Sequence, residues 1–338
     1  LWHAYPRIGA DARNQFDFFR DMPGGLPGVR DVVREFHRRG VKVFVPYHPW
    51  DTGTDREKQS DDLALATLTA AVEADGIFLD TMIAAPEGLR RAVDAVRPGV
   101  AFEPEGHPAI EEMSICSGSW AQWLSEFPEI GVLHLKWLEP RHMQHQIRRW
   151  DKTHQRELAA AWLNGSGILV WENVFGTWNP WDVEDRATLR RMAPVLRRFS
   201  GLLAEGEWLP YYPTQVEKLY ASCWRDKGVR LWTIVNRSSR KVDGPVFETE
   251  DQGEEFFDLW RGERLESQRI GGKVRVSLPV ASYAAVAAVK ESQPLRAFLD
   301  GQRREAIRPV PRPARRCLRG PAPEPGATQR APPGSPRQ

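Results

Sequence analysis

The hydrophobic residues of the first 210 positions fall into two alternating patterns. Short runs that are apolar nearly throughout predict β-strands over 41–47, 76–80, 99–103, 131–137 and 167–171, with one more over Leu1–Tyr5. Amphipathic or Ala/Leu-rich segments between them predict α-helices that end at Gly40 or extend over 59–74, 86–97, 108–126, 141–163 and 182–204. Strands of this kind joined by helices through short connections indicate parallel βα units with both faces of the sheet covered.

Two architectures accommodate this order of elements, an eight-stranded βα barrel and an open doubly wound sheet. No Gly-rich phosphate loop of the GxGxxG or GxxxxGKS type follows any of the strands, which weakens the case for a nucleotide-binding sheet. The chain begins at Leu1 in mid-pattern, without Met, so we expect its true N-terminus to be missing. We therefore predict the α/β class, with a (β/α)8 TIM-type barrel over 1–210 that lacks its first one or two units.

The pattern changes near residue 210. Short alternating strands with turns between them, from about 214 to 290, predict an antiparallel β-sandwich domain over 211–292. Beyond residue 293 apolar residues become sparse, and 309–338 contain nine of the 27 prolines. We expect 293–338 to be a disordered tail rich in Pro and Arg.

Composition narrows the function classes. The hydrophobic fraction of 41% and the charged fraction of 27% are those of a globular protein. A net charge of +2 leaves no excess of Lys and Arg for a nucleic-acid partner, and no apolar run is long enough to span a membrane. Three scattered cysteines without CxxC spacing predict neither a disulfide framework nor a zinc site. No signal peptide is visible, which leaves cytoplasmic and secreted locations and the oligomeric state open.

Fourteen tryptophans are the most unusual feature of the composition. Many of them lie beside carboxylates, Asn or His at segment ends, in the stretches HPWD (48–51), GSW (118–120), VWEN (170–173) and GTWNPWD (176–182). Core packing is the ordinary role of tryptophan. This clustering favours instead a wall of indole rings that stacks on sugars, and we predict Trp50, Trp171 and Trp178 as such platforms.

Polar side chains stand at or just beyond the ends of the predicted strands. In chain order they are His48 and Asp51, Asp80, Glu103 and Glu105, Glu139 and Arg141, and Glu172 and Asn173. Each of them alone fits a turn or a helix cap. Because the active site of a βα barrel lies at the C-terminal ends of its strands, the succession predicts one shared pocket.

A ring of carboxylates with aromatic walls suits the cleavage of a glycosidic bond. That reaction passes through an oxocarbenium-like state, in which one carboxylate stabilises or attacks the anomeric carbon. A second carboxyl group, kept protonated by a less polar environment, delivers a proton to the leaving oxygen. The chemistry requires no cofactor and no metal, and the expected partner is a carbohydrate.

Two stretches resemble glycoside hydrolases of the α-galactosidase and α-glucosidase type. They are MPGGLPGVRDVVREFHRRGVKVFVPYHPWD (22–51) and ADGIFLDTM (74–82). In that family the fourth barrel strand ends in the nucleophilic aspartate, and the resemblance implies this role for Asp80. The stretches DLWRGERL (258–265) and SLPVASYAAVAAV (277–289) also resemble the C-terminal sandwiches of such enzymes.

The chain departs from this family at one position, and one of its stretches resembles a second group of proteins. The family usually carries a lysine two residues before the nucleophile, where this chain has Phe78. The stretch WENVFGTWN (171–179) is similar to uncharacterised bacterial barrels that carry a sulfatase-modifying-type domain elsewhere in their chains, and no such domain is recognisable here. No later strand offers a family-like acid/base aspartate.

We predict a retaining glycoside hydrolase in which Asp80 is the nucleophile and Glu172 is the proton donor. Glu103 is the second choice for the donor, and Glu139 is the third. The residues expected to hold the sugar are His48, Trp50, Asp51, Glu103, Glu105, Lys136, Glu139, Trp171, Asn173 and Trp178.

Two rival functions remain. Carboxylates at three successive strand ends, Asp51, Asp80 and Glu103 or Glu105, would also suit Mg²⁺ in a barrel lyase or isomerase. The sequence offers no well-placed lysine base for such a reaction. The activity of a metal-dependent enzyme of this kind would not survive EDTA. The other rival is a barrel that has lost catalysis and only binds glycans. The missing lysine motif supports this rival.

Overall fold

A computed structural model describes residues 12–122, 129–290 and 295–309. In these residues a wall of parallel strands with helices on its outer side precedes a sandwich of antiparallel strands. The first part consists of α1 (Gln15–Arg20), α2 (Gly25–Arg38), β1 (Phe44–Tyr47), α3 (Asp61–Val72), β2 (Gly76–Leu79), α4 (Glu87–Val96) and β3 (Ala101–Pro104).

Strands β1, β2 and β3 pair in parallel and in chain order, as the sequence predicts. Their outward side chains, among them Val45, Ile77 and Phe102, are fully buried and form one core with apolar residues of α2, α3 and α4. The alternate side chains point to the inner face of the wall because successive residues of a strand face opposite sides. Pro46, Phe78 and Glu103 lie side by side on that inner face.

The wall continues with two further strands, β4 (Gly118–Ala121) and β5 (Met143–Gln146), which pair in parallel. Ser117 N donates to Phe102 O at 2.9 Å and joins β4 to β3. A parallel bridge between Gln146 and Ile168 adds the next stretch of chain beyond β5. The described residues thus form a barrel wall of five strands and one bridge, and they do not include a closed ring of eight.

Four predictions between 108 and 171 are wrong in detail. The predicted strand 131–137 contains instead the short helix α5 (His134–Leu138), in which Leu135 and Lys136 are buried while Trp137 and Leu138 are exposed. Strands β4 and β5 lie inside segments predicted as helices, and only α6 (Gln155–Asn164) remains of the second one. The predicted strand 167–171 contributes only the bridge at Ile168.

A β-hairpin and two helices follow the wall. They are β6 (Asn173–Val174), β7 (Thr177–Trp178), α7 (Val183–Arg198) and α8 (Ser200–Glu205). The hairpin turns through Phe175 and Gly176, both with positive φ, as a two-residue turn requires. Helix α7 begins where the Asp182 side chain accepts a hydrogen bond from Asp185 N at 2.8 Å.

The second part is an antiparallel sandwich, in agreement with the sequence prediction. Its strands are β8 (Glu207–Leu209), β9 (Leu219–Asp226), β10 (Val229–Asn236), β11 (Val242–Glu250), β12 (Glu255–Asp258), β13 (Glu263–Leu265), β14 (Gln268–Ile270), β15 (Lys273–Val280) and β16 (Tyr283–Val289). One sheet has the order β13-β12-β16-β10-β9-β8, and the other has the order β11-β15-β14. Apolar residues of both sheets, including Trp232 and Phe247, fill the space between them.

The outer face of the larger sheet packs on the helices of the first part. Trp162 of α6 is fully buried there and donates its indole N–H to Ala284 O at 3.0 Å. A last helix, α9 (Arg296–Ala306), adds Leu299 to the same core, together with Leu295 just before it. The expectation of a disordered tail from residue 293 is therefore wrong for α9, and the predicted tail from 310 onward lies outside the described residues.

In the described ranges, no helix combines the length and the apolar character needed to cross a lipid bilayer.

Candidate active site

Two carboxylates stand side by side where β2 and β3 end. Leu79 pairs with Pro104 in register, so Asp80 and Glu105 are the next residues of neighbouring parallel strands. Asp80 N donates to Tyr47 O at 3.0 Å, and Glu105 N donates to Leu79 O at 3.1 Å. These hydrogen bonds extend the strand ladder by one residue and fix both carboxylates at the C-terminal edge of the wall.

Asp80 is buried beneath two donors from the end of β1. His48 Nδ1 lies 2.8 Å from Asp80 Oδ2, and Trp50 Nε1 donates to the same oxygen at 3.1 Å. The amide of Gln15 fixes the His48 backbone because it accepts from His48 N at 2.8 Å and donates to His48 O at 2.9 Å. The predicted residues Asp80, His48 and Trp50 therefore form one cluster.

The surroundings of Asp80 favour its ionised form. Burial opposes ionisation, but the hydrogen bond and the charge of His48, with hydrogen bonds from Glu105 and Trp50, outweigh it and lower the pKa of Asp80. The Glu105 carboxyl group follows the strand beside that of Asp80, at the next position in register. Two adjacent carboxyl groups are the side chains that a nucleophile and a proton donor require.

Glu105 receives donors from three other directions. Thr81 N donates to Glu105 Oε2 at 2.9 Å, and Gln122 Nε2 donates to Glu105 Oε1 at 3.3 Å. Arg149, just beyond β5, forms an ion pair with Oε1. Thr81 has φ 59°, an unusual conformation for a β-branched residue, and such strain is typical of functional sites.

Arg149 lies among three aromatic rings, which we call the aromatic clamp: Trp120, Trp171 and Phe175. Its guanidinium carbon is 4.8 Å from the ring centre of Trp171, 5.5 Å from that of Trp120 and 5.8 Å from that of Phe175. Distances of this size permit cation–π attraction. Arg149 therefore contacts both the predicted platform residue Trp171 and Glu105 of the carboxyl pair.

A cavity of about 540 Å³ opens on the inner face of the wall, one residue layer below the carboxyl pair. Phe78 and Trp120 stack on its side with ring centres 4.5 Å apart, and Trp171 also lines it. Its polar members are Lys42, Glu103 and His145, of which Glu103 and His145 form an ion pair. Burial opposes protonation of His145, but the charge of Glu103 and their hydrogen bond raise the pKa of His145.

Glu172, predicted to be the proton donor, has a different contact. Its Oε1 accepts a hydrogen bond from Trp181 N at 3.0 Å, and its carbonyl accepts one from Asn179 N at 2.7 Å. These bonds close the loop that carries the β6–β7 hairpin. The structure thus gives Glu172 a loop-forming contact, and the carboxyl group beside Asp80 is Glu105.

Two of the predicted sugar-binding residues, Asp51 and Asn173, shape loops instead. Asp51 accepts hydrogen bonds from Gln15 N at 2.8 Å and from Thr54 Oγ1 at 3.1 Å. The Asn173 side chain accepts from Gly176 N at 3.1 Å inside the hairpin. Trp178 lies on the same hairpin with 62% of its surface exposed and is still available as a platform.

Glu139 and Lys136 lie away from the carboxyl pair because the strand that was to carry them is a helix. Glu139 follows α5 and precedes β5, which places it toward the opposite edge of the wall. It pairs with Arg141, whose side-chain and backbone hydrogen bonds lower the pKa of Glu139 to about 2. Lys136 is fully buried and donates from Nζ to Pro140 O at 2.7 Å and to Leu203 O at 2.9 Å.

Lys136 should make stability depend on pH. Burial lowers the pKa of Lys136 from 10.5 to about 8, so between these values the unfolded chain binds more protons than the folded chain. The free energy of unfolding of the wild type, relative to Lys136→Met, should therefore rise from pH 8 to pH 10.5 by at most about 3 kcal/mol. Urea denaturation over this range measures the difference, and Lys42→Met, at an exposed position, is the control. A constant difference would contradict the expectation.

The residues described here include no group of three His, Cys, Asp or Glu side chains that could hold a metal ion. The metal-dependent rival therefore finds no ligand set in these ranges.

Sequence reasoning missed Gln122, His145 and Arg149. All three lie in or beside strands β4 and β5, which the hydrophobic pattern assigned to helices. The signal that could have found them is weak: Met143, His145 and Ile147 alternate with Gln144 and Gln146, as in a strand whose outer face is polar.

Sequence comparisons give no relatives. No protein-family model matches the chain, and no curated protein matches it significantly.

Solved structures share its fold. The α-amylase from Geobacillus thermoleovorans, in complex with acarbose, has a TM-score of 0.59 at 12% identity, over 81% of this chain and 84% of that one. An Anoxybacillus α-amylase has a TM-score of 0.55 at 12% identity, over 79% of this chain and 80% of that one. The α-amylase from H. orenii has a TM-score of 0.51 at 12% identity, over 79% of this chain and 84% of that one.

These neighbours are βα-barrel glycoside hydrolases with a C-terminal domain, and at this identity the likeness is one of fold. The expected likeness to α-galactosidases and α-glucosidases is not shown by these comparisons, and neither is the link to barrels with a sulfatase-modifying-type domain.

Proposed function

We propose that this protein is a glycoside hydrolase that acts with retention, with Asp80 as the nucleophile and Glu105 as the proton donor. The observation that carries the proposal is the carboxyl pair itself, in which ionised Asp80 and its neighbour Glu105 end adjacent strands of a barrel wall. Sequence reasoning placed the donor at Glu172, and the geometry favours Glu105 in its place.

The pair supplies both steps of a double displacement. In the first step an Asp80 oxygen attacks the anomeric carbon, the bond to the leaving oxygen breaks, and Glu105 transfers its proton to that oxygen. In the second step Glu105 takes a proton from water, the water oxygen attacks the anomeric carbon, and the bond to Asp80 breaks. Glu105 is then protonated again, and Asp80 is again a carboxylate.

The closeness of the two carboxyl groups supports retention. Inverting enzymes hold a water between their carboxyl groups and need roughly 6.5–9.5 Å, whereas retaining enzymes need roughly 5–5.5 Å. Asp80 and Glu105 directly follow Leu79 and Pro104, which pair across adjacent parallel strands, and the spacing of about 4.8 Å between such strands suits the retaining separation better than the inverting one.

The aromatic surroundings support a carbohydrate as the substrate. Trp50 lies against Asp80, and Trp120 and Trp171 line the neighbouring cavity, so flat apolar faces flank the carboxyl pair. Among solved structures of the same fold, one α-amylase is complexed with acarbose, and the protein AmyP is complexed with maltose and with maltotriose. We therefore propose α-linked glucosides as the first substrate class to test.

The test is hydrolysis of a panel of aryl α- and β-glycosides and of maltooligosaccharides. We expect turnover on at least one α-glucoside, undiminished by EDTA. Proton NMR of the first-formed sugar should show the anomer of the substrate. Opposite-anomer product would refute retention, and glycan binding without turnover on any glycoside would support the inactive barrel instead.

A further inference from the structure

Arg149 is the cation that lies against the carboxyl pair, and it comes from the end of β5. Its guanidinium pairs with Glu105 Oε1, and the side chains of Arg149 and Glu105 are only 22% and 16% exposed. An ion pair that is screened from water in this way is stronger than an exposed one.

The aromatic clamp fixes the position of this charge. Three rings from two chain segments, Trp120 on β4 and both Trp171 and Phe175 at the hairpin, surround the guanidinium at 4.8–5.8 Å. Trp171 contacts both other rings edge-on. Its ring centre lies 6.2 Å from that of Trp120 and 5.4 Å from that of Phe175. The Arg149 carbonyl also accepts from Asn179 Nδ2 at 2.8 Å, so backbone and side chain are both held.

The groups that face Glu105 can be named element by element. Asp80 and the Thr81 amide come from the end of β2, Gln122 from the end of β4, and Arg149 from the end of β5. The acid below it on β3, Glu103, is already paired with His145. Arg149 is therefore the charge of opposite sign that Glu105 contacts directly in the described part of the chain.

We infer that Arg149 is a positioning residue that acts through Glu105: it orients the proton donor and holds a positive charge beside it. This inference rests on the proposed function. Arg149 stabilises the carboxylate that Glu105 becomes after proton transfer, and the clamp keeps Arg149 in place throughout the cycle. The hairpin that supplies Phe175 is thereby coupled to the protonation of Glu105.

The first readout is the pH dependence of kcat/KM. Arg149→Gln removes the positive charge, so Glu105 should keep its proton to higher pH, and the alkaline limb of the profile should move up by about 1 pH value or more. Arg149→Lys keeps the charge without the planar stacking, so its alkaline limb should stay near the wild-type position while kcat falls. Arg148→Gln, whose arginine pairs with Asp151, is the matched control and should leave the profile unchanged.

The second readout does not need turnover. The protein is labelled at the glutamate carboxyl carbons, and the Glu105 signal is identified by its loss in Glu105→Gln. In Arg149→Gln this signal should titrate at a higher pH than in the wild type. Thermal melting of each variant shows whether it is folded.

The outcomes separate the inference from the proposed function. Turnover with an unmoved alkaline limb and an unmoved Glu105 titration in folded Arg149→Gln would overturn the role of Arg149 and leave the glycosidase intact. A moved titration in a protein that hydrolyses no glycoside would refute the proposed function, and it would support the control of Glu105 by Arg149.

Discussion

Replacing Asp80 with alanine should lower kcat on an aryl glycoside by about 10⁴-fold or more, because the Asp80 carboxylate is the group proposed to form the bond to the anomeric carbon. Asp80 is also the acceptor for His48 and Trp50, so the variant loses two hydrogen bonds and should melt at a lower temperature. Steady-state kinetics at a temperature well below the melting point separates the two effects. Asp94→Asn, at an exposed aspartate of α4, is the control and should keep wild-type turnover.

An added nucleophile sharpens the test of Asp80. Alanine leaves space on one side of the anomeric carbon, and azide at high concentration should occupy it and restore part of the turnover. With an activated leaving group, the product should be a glycosyl azide of the opposite anomeric configuration, because only one displacement takes place. A folded Asp80→Ala variant within tenfold of the wild type, without azide, would remove Asp80 from the mechanism.

The second large effect concerns the proton donor, for which the sequence and the structure favour different residues. Glu105→Gln should lower kcat/KM by about 10²–10⁴-fold on substrates with a poor leaving group, such as an alkyl glycoside. Its effect should be much smaller on a dinitrophenyl glycoside, whose leaving group departs without a proton. Hydrolysis rates across a series of leaving groups measure this dependence.

Glu172→Gln is the matched comparison. Its amide oxygen can still accept from Trp181 N, so the loop should persist and activity should stay within a fewfold of the wild type for every leaving group. A steep dependence on the leaving group in Glu172→Gln, and none in Glu105→Gln, would return the role of donor to Glu172 and refute the assignment made from the structure.

The sequence by itself determined much of the fold and one half of the carboxyl pair. Apolar runs bounded by turn residues predicted β1, β2 and β3, because strands buried on both faces must be apolar nearly throughout. The position of Asp80 directly after such a run, and of Glu105 after the next, followed from the same pattern. The change to short alternating strands near residue 210 likewise predicted the antiparallel sandwich.

Only the tertiary structure decided which acid lies beside Asp80 and which cation forms an ion pair with that acid. Strand register sets that choice, and register depends on pairing between segments that are far apart in the chain. Strand β5 carries Gln144 and Gln146 on its outer face, so its hydrophobic signal is too weak to separate strand from helix, and Arg149 beyond it stayed hidden. Lys136 shows the reverse case: the sequence predicted it to hold the sugar, whereas the fold buries its ammonium group against two carbonyl oxygens.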